Sequence, residues 1–467
     1  MLTLCPLALL RGFAPSLLLL LSAWSGLTGS RVDAADAPVA PVAAAAPRAA
    51  GAPDMPDAAF AVHGQFTYVE QESDSFHAPY AGANSLSPDQ GRETTDATLY
   101  IGVRPWPHAE FWVTPEVDQG FGLDDTLGIA GFPSAEAYKV GRNRPYLRLP
   151  RALLRQVVDV GGATEAVEPD LTQLAGSHAA DRWVFTVGKF GVPDVFDANK
   201  YAHDARNDFL NWTAVDAGSF DYAADAWGFT VGAAAERYAG DWTVRAGLFD
   251  LSTIPNSEHL DPGGHEFQML GELEHRHVWS DEPGRLLLTV YDSRGRMGLL
   301  SAATAAAALT GQTPDVAGVR RYRSRLGVSL DLEQEVAADL GVFARLGKAA
   351  GNVEAFEFTD VDRSFEAGLT ADGSAWHRRD DRLGLAVLVN GISADRERYL
   401  AAGGLGILVG DGQLPNPAAE RIVETYYSLA PLAWARVSLD YQWVKNPAYA
   451  SDRGPVSVFA LRLHVQL

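Results

Sequence analysis

The chain has 467 residues, of which 47% are hydrophobic and 10% aromatic, enough to form a large core or an extended β-structure. Acidic residues number 59 against 38 basic ones, a net charge of -21, which makes the chain a poor candidate for nucleic-acid binding. The single cysteine, Cys5, lies in a segment that we expect to be removed, so the mature chain would hold no disulfide, thiolate metal site or cysteine nucleophile.

The first 59 residues predict export rather than a folded domain. Arg11 precedes an apolar run at 14–24, and small residues at 32–34 offer a cleavage site, so residues 1–34 are predicted to be a secretory signal peptide. A transmembrane anchor is the alternative, but the run is shorter than the ~20 residues that a spanning helix needs. Residues 35–59 are rich in Ala and Pro and predict a flexible tether.

From residue 60 to residue 467 the sequence alternates between apolar and polar residues. In the last segment, Phe459, Leu461 and Leu463 fall on one face, and Arg462 and His464 fall on the other. Because β-strands have a period of two and helical periodicity is nearly absent, we predict an all-β fold for residues 60–467.

The spacing of the candidate strands favours a membrane barrel. Long interruptions at 118–150, 192–225 and 293–320 alternate with short ones at 237–240 and 430–433, as in a barrel with long loops on one side and tight turns on the other. A soluble β-sandwich or propeller also alternates. Charges confined to one face, and Tyr and Trp at strand ends, favour the membrane barrel. Candidate strands lie near 60–70, 95–104, 109–117, 152–160, 182–191, 226–236, 241–250, 266–276, 284–292, 321–333, 338–347, 363–370, 382–392, 420–430, 433–444 and 455–467.

Several motifs, taken together and in order, are similar to those of the carbohydrate-selective outer-membrane porins, the OprB family. They include QFTYVEQ (65–71), TLYIGVRPW (98–106), PEVDQGFGL (115–123), AGFPSAEAYKVG (130–141), RPYLRLPR (144–151), GKFGVPDVFDANKYAHDARNDFLNW (188–212), FDYAADAWG (220–228), LFDLSTIPNSEHLDP (248–262) and NPAYASDRGPVSVFALRLH (446–464). The resemblance implies a transmembrane antiparallel β-barrel of about sixteen strands that passes sugars passively across the bacterial outer membrane. One departure is the last residue, since such barrels usually end in Phe and this chain ends in Leu467.

If the apolar faces meet lipid, the charged faces line a water-filled lumen. Arg321, Arg323 and Arg325 share one face of one strand and predict a ladder of guanidinium donors. Sugars both donate and accept hydrogen bonds, so a lumen of mixed Arg and carboxylate can replace their water step by step. The alternative is that these charges only brace the wall by cross-strand pairing. Further residues predicted to point the same way are Arg245, Arg436, Arg462, Glu272 and Asp440.

The resemblance also implies that segments 118–150 and 192–212, partly helical, fold into the pore and narrow it. Residues predicted at this constriction are Tyr138, Arg148, Arg151, Asp208 and Trp212. For the aromatic residues, stacking on sugar rings and packing of the loop against the wall are equally open interpretations.

We therefore predict a porin for sugars and other small polar solutes, with no catalytic residue, metal or cofactor. A general small-solute pore and a secreted or periplasmic carbohydrate-binding β-protein are the alternatives. The expected partners are transported carbohydrates, outer-membrane lipid and lipopolysaccharide, with no nucleic acid. The acidic surplus is expected in the outer loops, where divalent cations would bridge it to lipopolysaccharide. Whether the pore is a monomer or a trimer stays open.

Overall fold

The computed structural model describes residues 57–137 and 141–467, so the predicted signal peptide and most of the predicted tether lie outside it. The described residues form a closed barrel of sixteen antiparallel strands, which confirms the predicted fold class. The strands are β1 (Phe60–Ser73), β2 (Gly91–Val103), β3 (Ala109–Gly120), β4 (Arg142–Val167), β5 (Gly176–Phe190), β6 (Thr230–Ala239), β7 (Trp242–Asp250), β8 (Phe267–Trp279), β9 (Glu282–Met297), β10 (Arg321–Ala337), β11 (Leu340–Ala349), β12 (Arg363–Asp372), β13 (Arg382–Gly391), β14 (Glu420–Leu432), β15 (Ala435–Lys445) and β16 (Val456–Gln466). The α-helices are α1 (Trp212–Val215), α2 (Leu300–Thr310) and α3 (Ala394–Ala401), and one-turn 3-10 helices lie at Leu123–Thr126, Val192–Asp194, Ala317–Val319, Gly373–Trp376 and Pro447–Tyr449.

The last strand closes the barrel against the first. Pairing of β16 with β1 runs from Gln65 opposite Gln466 to Ser73 opposite Val458. Leu467 continues this ladder, since its backbone N–H donates to the Gly64 carbonyl at 2.8 Å and its carbonyl accepts from the Gly64 N–H at 3.0 Å. Closure leaves no unpaired strand edge around the wall.

The two faces of the wall have opposite chemistry. Large apolar side chains such as Leu248, Leu326 and Leu439 point outward and are more than half exposed, whereas Arg325 and Glu366 point inward and are fully buried. A water-soluble protein has the reverse arrangement, and an apolar outer band is what lipid requires. None of the helices in the described part of the chain is long and apolar enough to cross a membrane.

The connections differ at the two ends of the barrel. Both described chain ends and short turns such as 240–241, 280–281 and 433–434 lie at one end. In the 280–281 turn both residues have positive φ, 54° and 67°, as a two-residue hairpin of matching twist requires. The long connections lie at the other end, and loop 191–229 is the longest. By the usual arrangement of such barrels, the long-loop end is extracellular and the short-turn end periplasmic.

Strand β4 corrects one predicted boundary. The sequence predicts a loop over 118–150, but β4 begins at Arg142 and runs on to Val167. A β-bulge interrupts the pairing of β3 with β4 between Thr114–Arg151 and Glu116–Arg148. Pro150 lies in this bulge, where a proline is tolerated because no ladder hydrogen bond is needed. The proline and the bulge break the alternation on which the prediction depended.

Candidate functional site

The inner wall is held together by buried ion pairs between neighbouring strands. Arg245 on β7 donates to Glu236 on β6 at 2.9 Å and to Glu272 and Glu274 on β8 at 2.7 and 2.8 Å. All four side chains are buried. A buried charge is tolerated only when it is paired and hydrogen-bonded. Arg245 and Glu272, which were both predicted to line the pore, therefore brace the wall as an ion pair.

Loop 191–229 turns into the barrel and bonds to strands on well separated parts of the wall. Because its short polar side chains and its backbone face buried charges, each contact satisfies groups that would otherwise lack a partner. Groups of the loop donate in four contacts: Asp197 N–H to Glu272 at 2.8 Å, Asn199 to Asp331 at 2.9 Å, Leu210 N–H to Glu424 at 2.6 Å and Asn211 to Gln442 at 2.9 Å. In a fifth, Arg325 of the wall donates to Asp221 of the loop at 2.8 Å. The loop therefore occupies a large part of the lumen, as the resemblance implied.

The interior of this loop is aromatic. Trp212 is buried and stacks on Phe132 of the 121–141 loop, with ring centroids 5.5 Å apart. It also meets Phe358 of the 350–362 loop edge to face at 4.8 Å. Trp212 is therefore surrounded by side chains of three loops. This environment favours the interpretation that Trp212 packs the loop against its surroundings over the interpretation that it stacks on sugars. Tyr138, the other aromatic residue predicted at the constriction, lies outside the described residues.

The three arginines predicted as a ladder share the inner face of β10 but have different surroundings. Arg321 is exposed at the extracellular end, and its guanidinium donates to the carbonyl of Arg320 at 2.8 Å. Arg323 is partly exposed and donates to the carbonyl of Met297 at 3.1 Å. Arg325 has no exposed surface, since Asp221 and the loop cover it. A continuous ladder of accessible donors is therefore not present on this strand.

The remaining predicted wall residues lie around the loop. Arg462 is buried and donates to the backbone carbonyls of Ala205 and Asp208, the latter at 2.8 Å. The Asp208 carboxylate accepts from Arg382 at 3.4 Å. These three residues hold the loop against the wall. Asp440 is buried beside Gln442, and Arg436 is partly exposed near the periplasmic end, where it donates to the Asp380 carbonyl at 2.8 Å.

Strand β4 carries the row of partly exposed arginines that faces the lumen. We call Arg148, Arg151 and Arg155 the β4 arginine row. In a regular strand, residues 148 and 151 would point to opposite faces, but the bulge inserts one extra residue and turns both inward. Their side chains are 10%, 17% and 23% exposed.

Carboxylates and an aromatic ring surround the β4 arginine row. Arg148 pairs with Glu116 and Asp118 of β3, and Arg151 forms a two-pronged pair with Asp194 at 2.5 and 2.8 Å. Arg155 pairs with Glu110 at 3.3 Å. Phe229 lies beneath both Arg148 and Arg151, whose guanidinium carbons are 5.3 and 4.9 Å from its ring centroid. Fixed donors, acceptors and an apolar ring therefore meet at one place on the lumen wall.

Sequence reasoning identified Arg148 and Arg151 but missed their neighbours. Arg206 of the loop lies close to three carboxylates, Asp96 at 3.4 Å, Glu116 at 3.7 Å and Glu136 at 3.3 Å. No local pattern marks Arg206, because its partners are distant in sequence. For Arg155, the available signal was the proline before Arg151. A proline within a strand indicates a bulge, and the alternation that resumes after it places Arg151 and Arg155 on the same face of β4.

A hairpin formed by the ends of β4 and β5 folds back over the periplasmic ends of β2 and β3. Residues 158–181 extend past the neighbouring strands, and bulges on either side of Gly161 bend the ribbon. Its tip returns to the barrel at the foot of the β4 arginine row. The contacts are Leu174 N–H to Glu110 at 3.2 Å, Arg155 to the Thr172 carbonyl at 2.8 Å and Arg104 to the Ala175 carbonyl at 3.0 Å.

Comparison with known proteins agrees with this architecture. The barrel is similar to the high-pH structure of Pseudomonas putida OprB, with a TM-score of 0.65, 16% identity, and coverage of 88% of this chain and 94% of that one. It is also similar to the outer-membrane channel DcaP of Acinetobacter baumannii, with a TM-score of 0.50, 9% identity, and coverage of 87% and 97%. No curated protein matches the chain. The family model described as "Carbohydrate-selective porin, OprB family" matches residues 83–467. The chain is therefore a member of the OprB family of carbohydrate-selective porins, a channel fold of the bacterial outer membrane.

Proposed function

We propose that this porin passes sugars by passive diffusion and that the β4 arginine row, with its carboxylate partners, is where a sugar contacts the wall. The observation that carries the proposal is the meeting of partly exposed guanidinium groups, carboxylates and the Phe229 ring at one site. Guanidinium groups donate to hydroxyl oxygens, carboxylates accept from hydroxyl protons, and an aromatic ring can pack against the C–H face of a sugar.

The pairing of these charges keeps binding weak, which passage requires. Each arginine of the row already has a carboxylate partner, so a sugar exchanges one set of hydrogen bonds for another. A solute that offers both donors and acceptors loses least in this exchange. An apolar solute would displace water from the remaining donors and acceptors of these groups without replacing its hydrogen bonds, at a cost of about 1–3 kcal/mol for each group left unsatisfied.

The periplasmic hairpin forms the second narrow point of the proposed path. Its tip reaches Arg155 and Glu110, so a solute leaving the row meets residues 171–175 before the periplasm. The outer wall is proposed to contact outer-membrane lipid and lipopolysaccharide through its apolar band.

Liposome swelling with a size-graded sugar panel and size-matched amino acids tests the proposal. We expect faster swelling with sugars in the wild type. A variant with Arg148, Arg151 and Arg155 changed to Gln should lose this preference, and the matched variant Arg321→Gln/Arg323→Gln should keep it. Equal swelling with all small solutes would instead identify a general pore, and an unchanged preference in the Arg148/Arg151/Arg155 variant would assign the selectivity to another part of the lumen.

A further inference from the structure

Two pairs of like charges lie directly opposite each other on the outer face of the barrel. Lys348 on β11 is the register partner of Arg363 on β12, and Arg421 on β14 is the register partner of Lys445 on β15. All four side chains are exposed, and their strand neighbours Ala349, Ser364, Ile422 and Val444 are buried inward, so the four point away from the lumen. We call these four residues the outer basic patch.

The outer basic patch lies at the extracellular rim. Each member is the first or last outward-facing residue of its strand, next to a long loop. Directly below, on the same outer face, stand apolar and aromatic residues such as Phe365 and Trp443. Aromatic residues of this kind mark the boundary between hydrocarbon and headgroups in membrane barrels. The patch therefore lies at the level of the lipid headgroups and spans five strands, or about 19 Å at ~4.8 Å for each strand.

The patch carries a surplus of positive charge that the protein itself does not neutralise. None of its four residues forms an ion pair with another described residue, although the inward-facing Arg345 on β11 does. Arg363 donates to the Ile392 carbonyl at 2.7 Å, which leaves its positive charge uncompensated. Like charges directly opposite each other on neighbouring strands destabilise a sheet. Two such pairs within five strands would be stabilised by an anion from outside the chain that lies between them.

We infer that the outer basic patch binds the phosphate groups of the phosphorylated glycolipid of the outer leaflet, the lipid A part of lipopolysaccharide. Phosphate accepts several hydrogen bonds, and guanidinium groups bind it through two parallel contacts. Anionic headgroups are attracted to basic clusters at the membrane surface. This differs from the sequence-based expectation of acidic loops bridged by divalent cations, because here the protein supplies the cations itself.

A second copy of the chain is the competing occupant. Glu72 and Glu93, both exposed, and the partly exposed Glu70 form an acidic group on the outer face of β1 and β2, which another barrel could bring against the patch. Tyr68 donates to Glu93 at 3.2 Å, so part of this acidic group already has a partner within the chain. The glycolipid is favoured because it surrounds every barrel in the outer leaflet.

The test compares Arg421→Gln/Lys445→Gln with the control Arg378→Gln/Arg379→Gln, which removes two exposed arginines from a periplasmic turn. Each barrel is refolded into lipid-free detergent, and folding is checked by its shifted gel migration before boiling. Purified bisphosphorylated lipid A, or the same glycolipid without its phosphates, is then titrated in while the thermal midpoint is followed.

We expect bisphosphorylated lipid A to raise the midpoint of the wild type and the control, and the patch variant to need at least tenfold more of it. In lipid-free detergent the patch variant should be as stable as the wild type or more stable, because the repulsion between the like charges is removed.

Equal lipid dependence in all three proteins, or an equal effect of the phosphate-free glycolipid, would overturn the inference. So would an oligomer that the patch variant loses without lipid, since the patch would then be an interface between copies. The inference rests on the proposed contact of the outer wall with lipopolysaccharide and not on the proposed passage of sugars. The outcome of the swelling assays therefore does not decide it.

Discussion

Replacing Arg325 with Met should destabilise the barrel by about 3 kcal/mol, because it removes one partner of a fully buried ion pair. Arg325 and Asp221 both have no exposed surface, and their charged atoms are 2.8 Å apart. Breaking a buried pair usually costs about 3–5 kcal/mol. The lower value applies here because the Asp221 carboxylate would still accept hydrogen bonds from the backbone N–H groups of Phe356 and Phe358, which lie at 2.6 and 3.1 Å.

Urea unfolding in detergent micelles, followed by tryptophan fluorescence, measures this change. Arg321→Met is the matched control, since Arg321 lies on the same face of the same strand but is exposed, and its effect should stay within about 0.5 kcal/mol. The double variant Arg325→Met/Asp221→Asn should be more stable than the sum of the two single changes predicts. If Arg325→Met and Arg321→Met were equally stable, the account of Arg325 as a brace for loop 191–229 would be refuted.

Four further changes test the same account. Arg245→Met leaves three buried glutamates without their shared cation and should lower the free energy of unfolding by about 3–5 kcal/mol in urea titration; a change below 1 kcal/mol would argue against the wall network. Trp212→Ala removes a ring packed between loops, so it should cost about 3–5 kcal/mol and speed swelling with all solutes alike, whereas a loss confined to sugars would favour stacking. Burial favours the neutral ring of His203, but the Asp216 carboxylate at 3.4 Å outweighs it and raises the His203 pKa to about 9. Because this pKa is raised, the stabilisation is complete below about pH 6.5 and is lost as the pH rises through 9, so the thermal midpoint should fall over that range in the wild type and stay flatter in His203→Gln. Deleting residues 162–179 should raise single-channel conductance, since the hairpin tip would no longer lie beside Arg155 at the periplasmic end of the proposed path. An unchanged conductance would remove the hairpin from the path.

Alternation predicted the all-β fold, because each strand presents one face to an apolar and one to a polar environment. The loop spacing, the charges confined to one face and the family resemblance were needed to choose a membrane barrel over a sandwich or propeller. Strand β4 could not be delimited by alternation. Its bulge at Pro150 shifts the inward face by one residue, so a period of two fails where the β4 arginine row lies.

The environment of each lumen arginine could not be predicted from the sequence. Arg148 and Arg325 both point into the lumen, yet one is partly exposed and the other is fully covered. The difference comes from loop 191–229, whose Asp221 reaches Arg325 across more than 100 positions of sequence. Contacts of this range depend on how the loop folds inside the barrel, and no local pattern reports it.

The most direct test of the central claim is a sugar titration of single-channel current in planar bilayers. Sugar passing the β4 arginine row should reduce the ion current of the wild type with weak, millimolar affinity, as a conducting site requires. The variant with Arg148, Arg151 and Arg155 changed to Gln should stay open and lose this sensitivity, and the Arg321→Gln/Arg323→Gln control should keep it. An unchanged sugar affinity in the Arg148/Arg151/Arg155 variant would contradict the account, because the sugar would then bind the lumen somewhere other than this row.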